Sequence, residues 1–328
     1  MTMAELDAIS VLLLWTAIAI YAGAFVAYAF DLASRSSAKT AVREQASERV
    51  LVGAGGAASA EVGTDAGADA PKKPRYVMAR IGTSLTVLGF VFHLAATVLR
   101  GVGAGRVPWA NLYEFTMIGT LLIVAVYLVV LTRLDLRYLG TFIIGLIVVL
   151  LGLASTNFYV AIVPLMDPLK SIWLIIHVFV ASLSTALFAL AFALSVMQLM
   201  QARRERLIAE GAAKTGPGFL RTIPDSARLE NLAYRFTVVG FIFWTFTLIA
   251  GAIWAQDAWG RYWGFDVKET WTFIIWVGYA GYIHARATRG WRGTPSAWLS
   301  ITGFAAVIFN FTIVNVFFKG LHAYSGLS

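Results

Sequence analysis

The chain has 328 residues, 59% of them hydrophobic and only 13% charged, with a formal net charge of +8. So few charges cannot cover the surface of a water-soluble domain of this size, which excludes a soluble globular protein. The absence of cysteine excludes a disulfide, a thiol nucleophile, an iron–sulfur cluster and a Cys-x-x-Cys-His attachment segment within the chain.

Several apolar runs reach the ~18 residues or more that cross a ~30 Å hydrocarbon core as a helix, without the alternation of barrel strands. The expected fold is all-α, a polytopic integral membrane protein of about eight transmembrane helices. The spans fall at roughly 9–30, 77–99, 115–132, 138–155, 172–199, 234–254, 271–288 and 296–317. With the N-terminus and C-terminus outside, the inner segments hold 20 of the 26 Lys and Arg residues. That asymmetry fits the positive-inside rule and accounts for the net charge through membrane lipids, with no nucleic acid partner.

Glu5 and Asp7 precede the first span, and Arg35, Lys39 and Arg43 follow it. That charge order predicts a retained N-terminal helix over 1–30 rather than a cleaved signal. Residues 31–75 read as a flexible cytoplasmic linker, because the small, low-complexity stretch at 51–70 buries too little apolar area to order itself. A membrane domain is expected over 76–328. His93 lies thirteen residues beyond Arg80, hence roughly 20 Å into the membrane. The Gly-rich run at 101–105 has no preceding strand, so it reads as a turn and not as a nucleotide loop. His177 follows Trp173 at the start of the fifth span. Residues 200–235, with Gly216-Pro217-Gly218 and Pro224, read as a cytoplasmic connection with short helical pieces.

The segment 254–271 holds the densest aromatic cluster, with Trp254, Trp259, Trp263, Phe265 and Trp271 around Asp266. Flat rings with N–H donors suit a large, flat, apolar ligand with a few polar groups. Trp259 and Trp263 would share one face if this segment is helical. His284 lies thirteen residues beyond Trp271 and so also falls in the hydrocarbon zone, at a depth that could match His93. An ionisable residue there is a functional candidate, the alternative being a neutral histidine bonded to a neighbouring helix. His177 and His322 flank the aromatic segment at the outer face, where the alternatives are an interfacial histidine and a frayed C-terminus. These features together point to haem, whose iron accepts two imidazole ligands. The bland alternatives for the tryptophans and for Arg106, Arg261 and Lys268 are an interfacial belt and snorkelling.

The segment WGRYWGFDVKETW resembles the core motif of the WWD-domain haem-handling proteins of system II cytochrome c maturation, the CcsA/ResC type. Supporting pieces are Asn111-Leu112-Tyr113-Glu114, the His284 region YIHAR and the tail GLHAYS around His322. The resemblance covers the chain from about residue 76 to its end. It departs at Phe265, where a third tryptophan is usual, and at Val267, where proline is usual. The first change removes an indole N–H but leaves a ring to stack. The second is expected to loosen the turn after Asp266.

The resemblance implies haem b as cofactor, with external axial ligands His177 and His322 and transmembrane axial ligands His93 and His284. It implies a cradle of Trp254, Trp259, Trp263, Phe265, Asp266 and Trp271, with Asn111, Glu114 and Glu269 as motif residues. Arg106, Arg261 and Lys268 are the candidate propionate contacts. The implied function is attachment of haem to Cys-x-x-Cys-His of apocytochrome c, as a subunit of a cytochrome c synthase. A ResB-type membrane subunit is the implied partner, with thiol-reducing proteins acting indirectly. The expected location is the bacterial plasma membrane, multi-pass, with an extracytoplasmic active face. Two other readings stay open on the residues alone: a haem b quinol oxidoreductase, and a transporter of another amphipathic substrate.

Overall fold

The computed structural model describes residues 2–54, 77–162, 170–288, 290–318 and 320–321, with side chains of the first helix described through Arg35. His322 and residues 55–76 lie outside this set. No strand occurs among the described residues. The helices are α1 (Met3–Ala54), α2 (Val77–Ala104), α3 (Leu112–Leu131), α4 (Gly140–Asn157), α5 (Ile172–Ala209), α6 (Ser226–Trp259), α7 (Val267–Thr288), α8 (Thr294–Phe311) and α9 (Ile313–Phe317). Short 3-10 turns at Arg137–Leu139 and Gly218–Arg221 precede α4 and α6. Seven helical segments are long and apolar enough to cross a membrane, so the chain is a multi-pass membrane protein. With 22 residues, α7 has the length to do so, but its polar residues keep it outside those seven.

The linker expected over 31–75 is helical as far as Ala54. The stretch after Asp31 is rich in Ala, Arg, Glu, Lys and Gln, all good helix formers. Arg35 bonds Asp31 one turn back at 2.6 Å, which supports the extension.

Each end of the bundle has its own tie. α1 pairs with α2 and α4 through two buried tyrosines seven residues apart. A Cβ on Gly89 of α2 would lie 2.7 Å from the Tyr21 ring, and one on Gly140 of α4 would lie 2.6 Å from the Tyr28 ring. Only glycine lets these backbones close over the rings. α5 runs through the middle, packed against α3, α6 and α8. Ser184 Oγ donates to the Gly240 carbonyl of α6 at 2.7 Å, and Phe188 stacks on Tyr279 of α7 at 3.8 Å. At the basic end, Glu230 of α6 accepts from Arg286 of α7 and from the Gly293 N–H at 3.2 and 2.8 Å.

The opposite end, which carries the aromatic segment, is pinned by a buried four-charge cluster. Arg100 of α2 is wholly buried and bonds Asp7 of α1, Glu114 of α3 at 3.0 Å and the Val160 carbonyl at 2.6 Å. Glu114 also accepts from Arg106 at 2.7 Å and from the Ala110 N–H at 2.8 Å. Tyr159 donates to Asp7 at 2.8 Å. Burial, then the Asp7 carboxylate, raises the Tyr159 phenol above its ordinary range and keeps it a donor. Two cations and two anions cancel, which is the condition under which ions tolerate burial. Asn111 caps α3 by accepting the Glu114 N–H at 2.9 Å. Asn111 and Glu114, read from the sequence as motif residues, are thus a helix cap and the centre of an ion cluster.

Removing one partner strands the others. Glu114→Gln is expected to destabilise the protein by about 3–5 kcal/mol, read as a lowered midpoint of thermal unfolding in detergent micelles. Arg137→Gln, which breaks an ion pair with an exposed Asp135, is the control and should cost under about 1 kcal/mol. Equal midpoints for the two variants would show that the buried cluster does not hold this end together.

Candidate functional site

α6 and α5 meet at the aromatic end, and their sequences prepare a seat for one histidine. Ser171 caps α5, accepting the Trp173 N–H and donating to Asp257 of α6, both at 3.2 Å. His177 follows on the face turned to α6. Its Nδ1 lies 2.9 Å from the Thr247 carbonyl oxygen. A carbonyl only accepts, so Nδ1 carries the proton, and in the neutral ring Nε2 carries the lone pair. The imidazole lies near-parallel to Trp254 at 5.9 Å, with 21° between planes. A Cβ on Gly251 would fall 2.7 Å from His177 Cε1, so the ring rests on bare backbone. Thr247, Gly251 and Trp254 lie at helical spacing and share the face of α6 that presents to His177.

His177 lines a cavity of about 170 Å³ walled by α3, α5, α6, α7 and α8. The wall is mostly apolar, with Phe115, Leu174, Trp254 and Phe304 among its residues, and it continues inward to Thr120 and Thr185. Four buried polar atoms on it lack a hydrogen-bond partner: Trp109 Nε1, Asn111 Nδ2, Ser182 Oγ and Asn310 Oδ1. Buried polar groups are rarely left unpaired unless a ligand or water meets them. An apolar wall with scattered unmet polar groups and an imidazole has the chemistry of a site for an apolar ligand that carries a few polar substituents.

The aromatic segment is split in two. α6 runs to Trp259 and ends at Gly260, whose φ of 70° is the left-handed stop of a helix. Trp254 is buried and Trp259 packs edge-on to it at 4.8 Å. Trp263 lies beyond the stop and is partly exposed, so it shares no helix face with Trp259. Phe265 is 81% exposed with a φ of 56°, and its ring meets only the edge of Trp263 at 6.1 Å among the described ring pairs. Trp271 packs on Phe309 of α8 at 4.4 Å. The turn after Asp266 is not loose despite Val267. Glu269 accepts the N–H groups of Gly264 and Asp266 at 2.8 and 3.1 Å, half of a capping box written in the sequence as Asp-x-x-Glu. Asp266 accepts the Leu321 N–H at 3.2 Å and so holds the tail one residue before His322.

The remaining candidates scatter. His93 is fully buried in α2, 3.4 Å from the Tyr21 hydroxyl of α1 and facing the Met117 backbone of α3. His284 is exposed on α7. α2 packs on α1 and α3, while α7 packs on α6 and α8, and neither histidine lines the cavity. His93 is turned into the bundle and His284 away from it. Arg106 is committed to Glu114, and Arg261 lies 4.0 Å from Glu269, packed where a Cβ on Gly264 would clash at 0.8 Å. Lys268 reaches the cavity and donates to Asn315. Thr247, Gly251, Asn310 and Asn315 carried no local signal; only the spacing of 247, 251 and 254 could have marked a shared face.

Fold and site define a multi-pass membrane protein with a histidine- and tryptophan-walled cavity at one end. A family profile described as cytochrome C assembly protein matches residues 109–322, and the chain belongs to that family, among its CcsA-type cytochrome c biogenesis proteins. It is 35% identical over 269 residues to the cytochrome c biogenesis protein CcsA of Guillardia theta, covering 76% of this chain and 86% of that one. It is 33% identical over 249 residues to CcsA of Heterosigma akashiwo, covering 67% and 77%. A solved structure titled cytochrome c heme lyase CcmF superposes with a TM-score of 0.60 at 16% identity, over 95% of this chain. This chain spans about half, 47%, of that protein, and the likeness is one of fold.

Gly251→Ala pushes a methyl into the His177 ring and is expected to cost about 1–3 kcal/mol through overpacking, with a shift in tryptophan emission as Trp254 loses its stacked partner. Gly278→Ala on α7, where nothing lies within 4 Å of the added Cβ, should be neutral or slightly stabilising. Thermal unfolding of both variants checks the pair.

Proposed function

We propose that the cavity at the aromatic end holds haem b and presents it at the extracytoplasmic face for attachment to Cys-x-x-Cys-His of apocytochrome c. The observation that carries this reading is the His177 seat. A histidine whose Nδ1–H is fixed by a backbone carbonyl has Nε2 as its basic nitrogen, the tautomer and second contact usual for a metal-ligating imidazole. His322 is the proposed second axial ligand; Asp266 supports it by anchoring the Leu321 N–H.

When bound, haem supplies two vinyl groups and an iron centre whose potential follows its axial ligands. The chain's residues do the rest. Thr247 holds the proton on Nδ1, and Gly251 lets the ring approach α6. Trp254 stacks on the ring with Trp259 edge-on behind, and the apolar wall of α3, α5 and α8 excludes water. Trp263, Phe265 and Asp266 offer an exposed edge to an incoming apocytochrome segment. Positioning is the main catalytic contribution, because it turns an encounter into near-attack geometry. The chain would act as a subunit of a cytochrome c synthase in the bacterial plasma membrane, with a ResB-type partner. Separate thiol-reducing proteins would keep the apocytochrome cysteines reduced, since this chain has none. The outward-facing His284 suits a ligand shared with that partner, and His93 a support for the packing of α1.

The test is the reduced absorption spectrum of the chain purified with its partner, as wild type, His177→Ala and His322→Ala. A bis-imidazole spectrum that weakens in each variant and recovers with added imidazole is expected. A spectrum unchanged by both substitutions would remove the external haem site.

A further inference from the structure

We propose that Lys268 makes the cavity selective for a planar amphiphile with free carboxylates, pairing its ammonium with one carboxylate of the ligand. This deepens the haem reading and rests on it for the identity of the ligand. The cations near the aromatic segment have different fates in the fold. Arg106 is held by the buried Glu114 carboxylate at 2.7 Å. Arg261 faces Glu269 and lies across Gly264. Lys268, on the first turn of α7, instead lines the cavity beside His177 and Trp254.

Its bonded partner there is neutral. Lys268 Nζ donates to the Asn315 amide oxygen, and an ammonium has three protons to give. Asp266 contributes negative charge nearby, but its Oδ1 is turned to the Leu321 N–H. A cation in an apolar cavity with an amide partner stays under-compensated and favours an anion. The rest of the wall offers two unmet donors beside one unmet acceptor, Asn310 Oδ1. Asn111 Nδ2 and Trp109 Nε1 are buried donors with no acceptor, and Asn111 is only 5% exposed. Asn310 joins Lys268 through Thr272: its Nδ2 donates to Thr272 Oγ1 at 3.2 Å, and that hydroxyl donates to the Lys268 carbonyl at 2.7 Å. Those bonds tie the backbone of the first turn of α7 to α8, while the ammonium itself is held by Asn315 of α9.

The experiment uses the full chain in detergent micelles and two metal-free probes, protoporphyrin IX and its dimethyl ester, followed by quenching of tryptophan emission. Iron-loaded forms of both are followed by absorption. Wild type is expected to bind the free acid at least tenfold more tightly than the ester, relative to empty micelles. Lys268→Met should remove most of that preference by weakening the acid alone, and Lys268→Arg should keep it. An acid-to-ester ratio unchanged by Lys268→Met, or no preference in wild type, would overturn the proposal. His177→Ala separates the two ideas. It should weaken the iron forms while leaving the ratio intact. A preserved ratio with iron binding indifferent to His177 would sustain the carboxylate site and count against the haem ligand.

Discussion

Glu114 is the residue on which the aromatic end depends. Its carboxylate gathers two arginines and a backbone N–H in a setting where none could remain charged and unpaired. Through Arg100 it fixes α2 to Asp7 of α1 and to the strand of chain after α4. Through the cap of Asn111 it sets where α3 begins. Trp109, Asn111 and Phe115 then fall on the cavity wall because α3 starts there. A neutral cluster of four charges is thus a positional device: its net contribution to stability is small, while its geometry tolerates no missing member.

The second constraint is the seam between α5 and α6. The His177 ring gives its Nδ1 proton to a helix carbonyl, that of Thr247, which it reaches because Gly251 has no side chain. The backbone of α6 therefore decides the tautomer of a residue on α5. The same α6 carries Trp254 beneath that ring and stops at Gly260, so Trp254 and Trp259 belong to a helix and the exposed Trp263 and Phe265 to a short connection. Glu269 ties that connection down and Asp266 ties the tail to it, which makes the segment a junction of α6, α7 and the chain end.

Much of this was legible before any fold was known. Long apolar runs have one solution in a bilayer, so the helices follow from composition, while the small-residue stretch at 51–70 hides a helix that runs to Ala54. The aromatic segment stands out because four of the eleven tryptophans fall within 254–271, and His177 because the chain has only four histidines. Lys268 could be named but not ranked: Arg106 and Arg261 look equivalent in sequence, and only the acids brought to them by α3 and α7 separate the three.

The sequence by itself determined that the protein is a helical membrane bundle with a family-defining aromatic segment, because hydrophobic length and residue chemistry are local properties. Tertiary structure alone decided which histidines face the cavity. Depth along a helix is a one-dimensional quantity that spacing can estimate for His93 and His284; direction depends on which helices are neighbours. The packing of α2 against α1 turns His93 to Tyr21, the place of α7 at the side of α6 and α8 turns His284 outward, and the bare backbone at Gly251 admits His177 to its carbonyl.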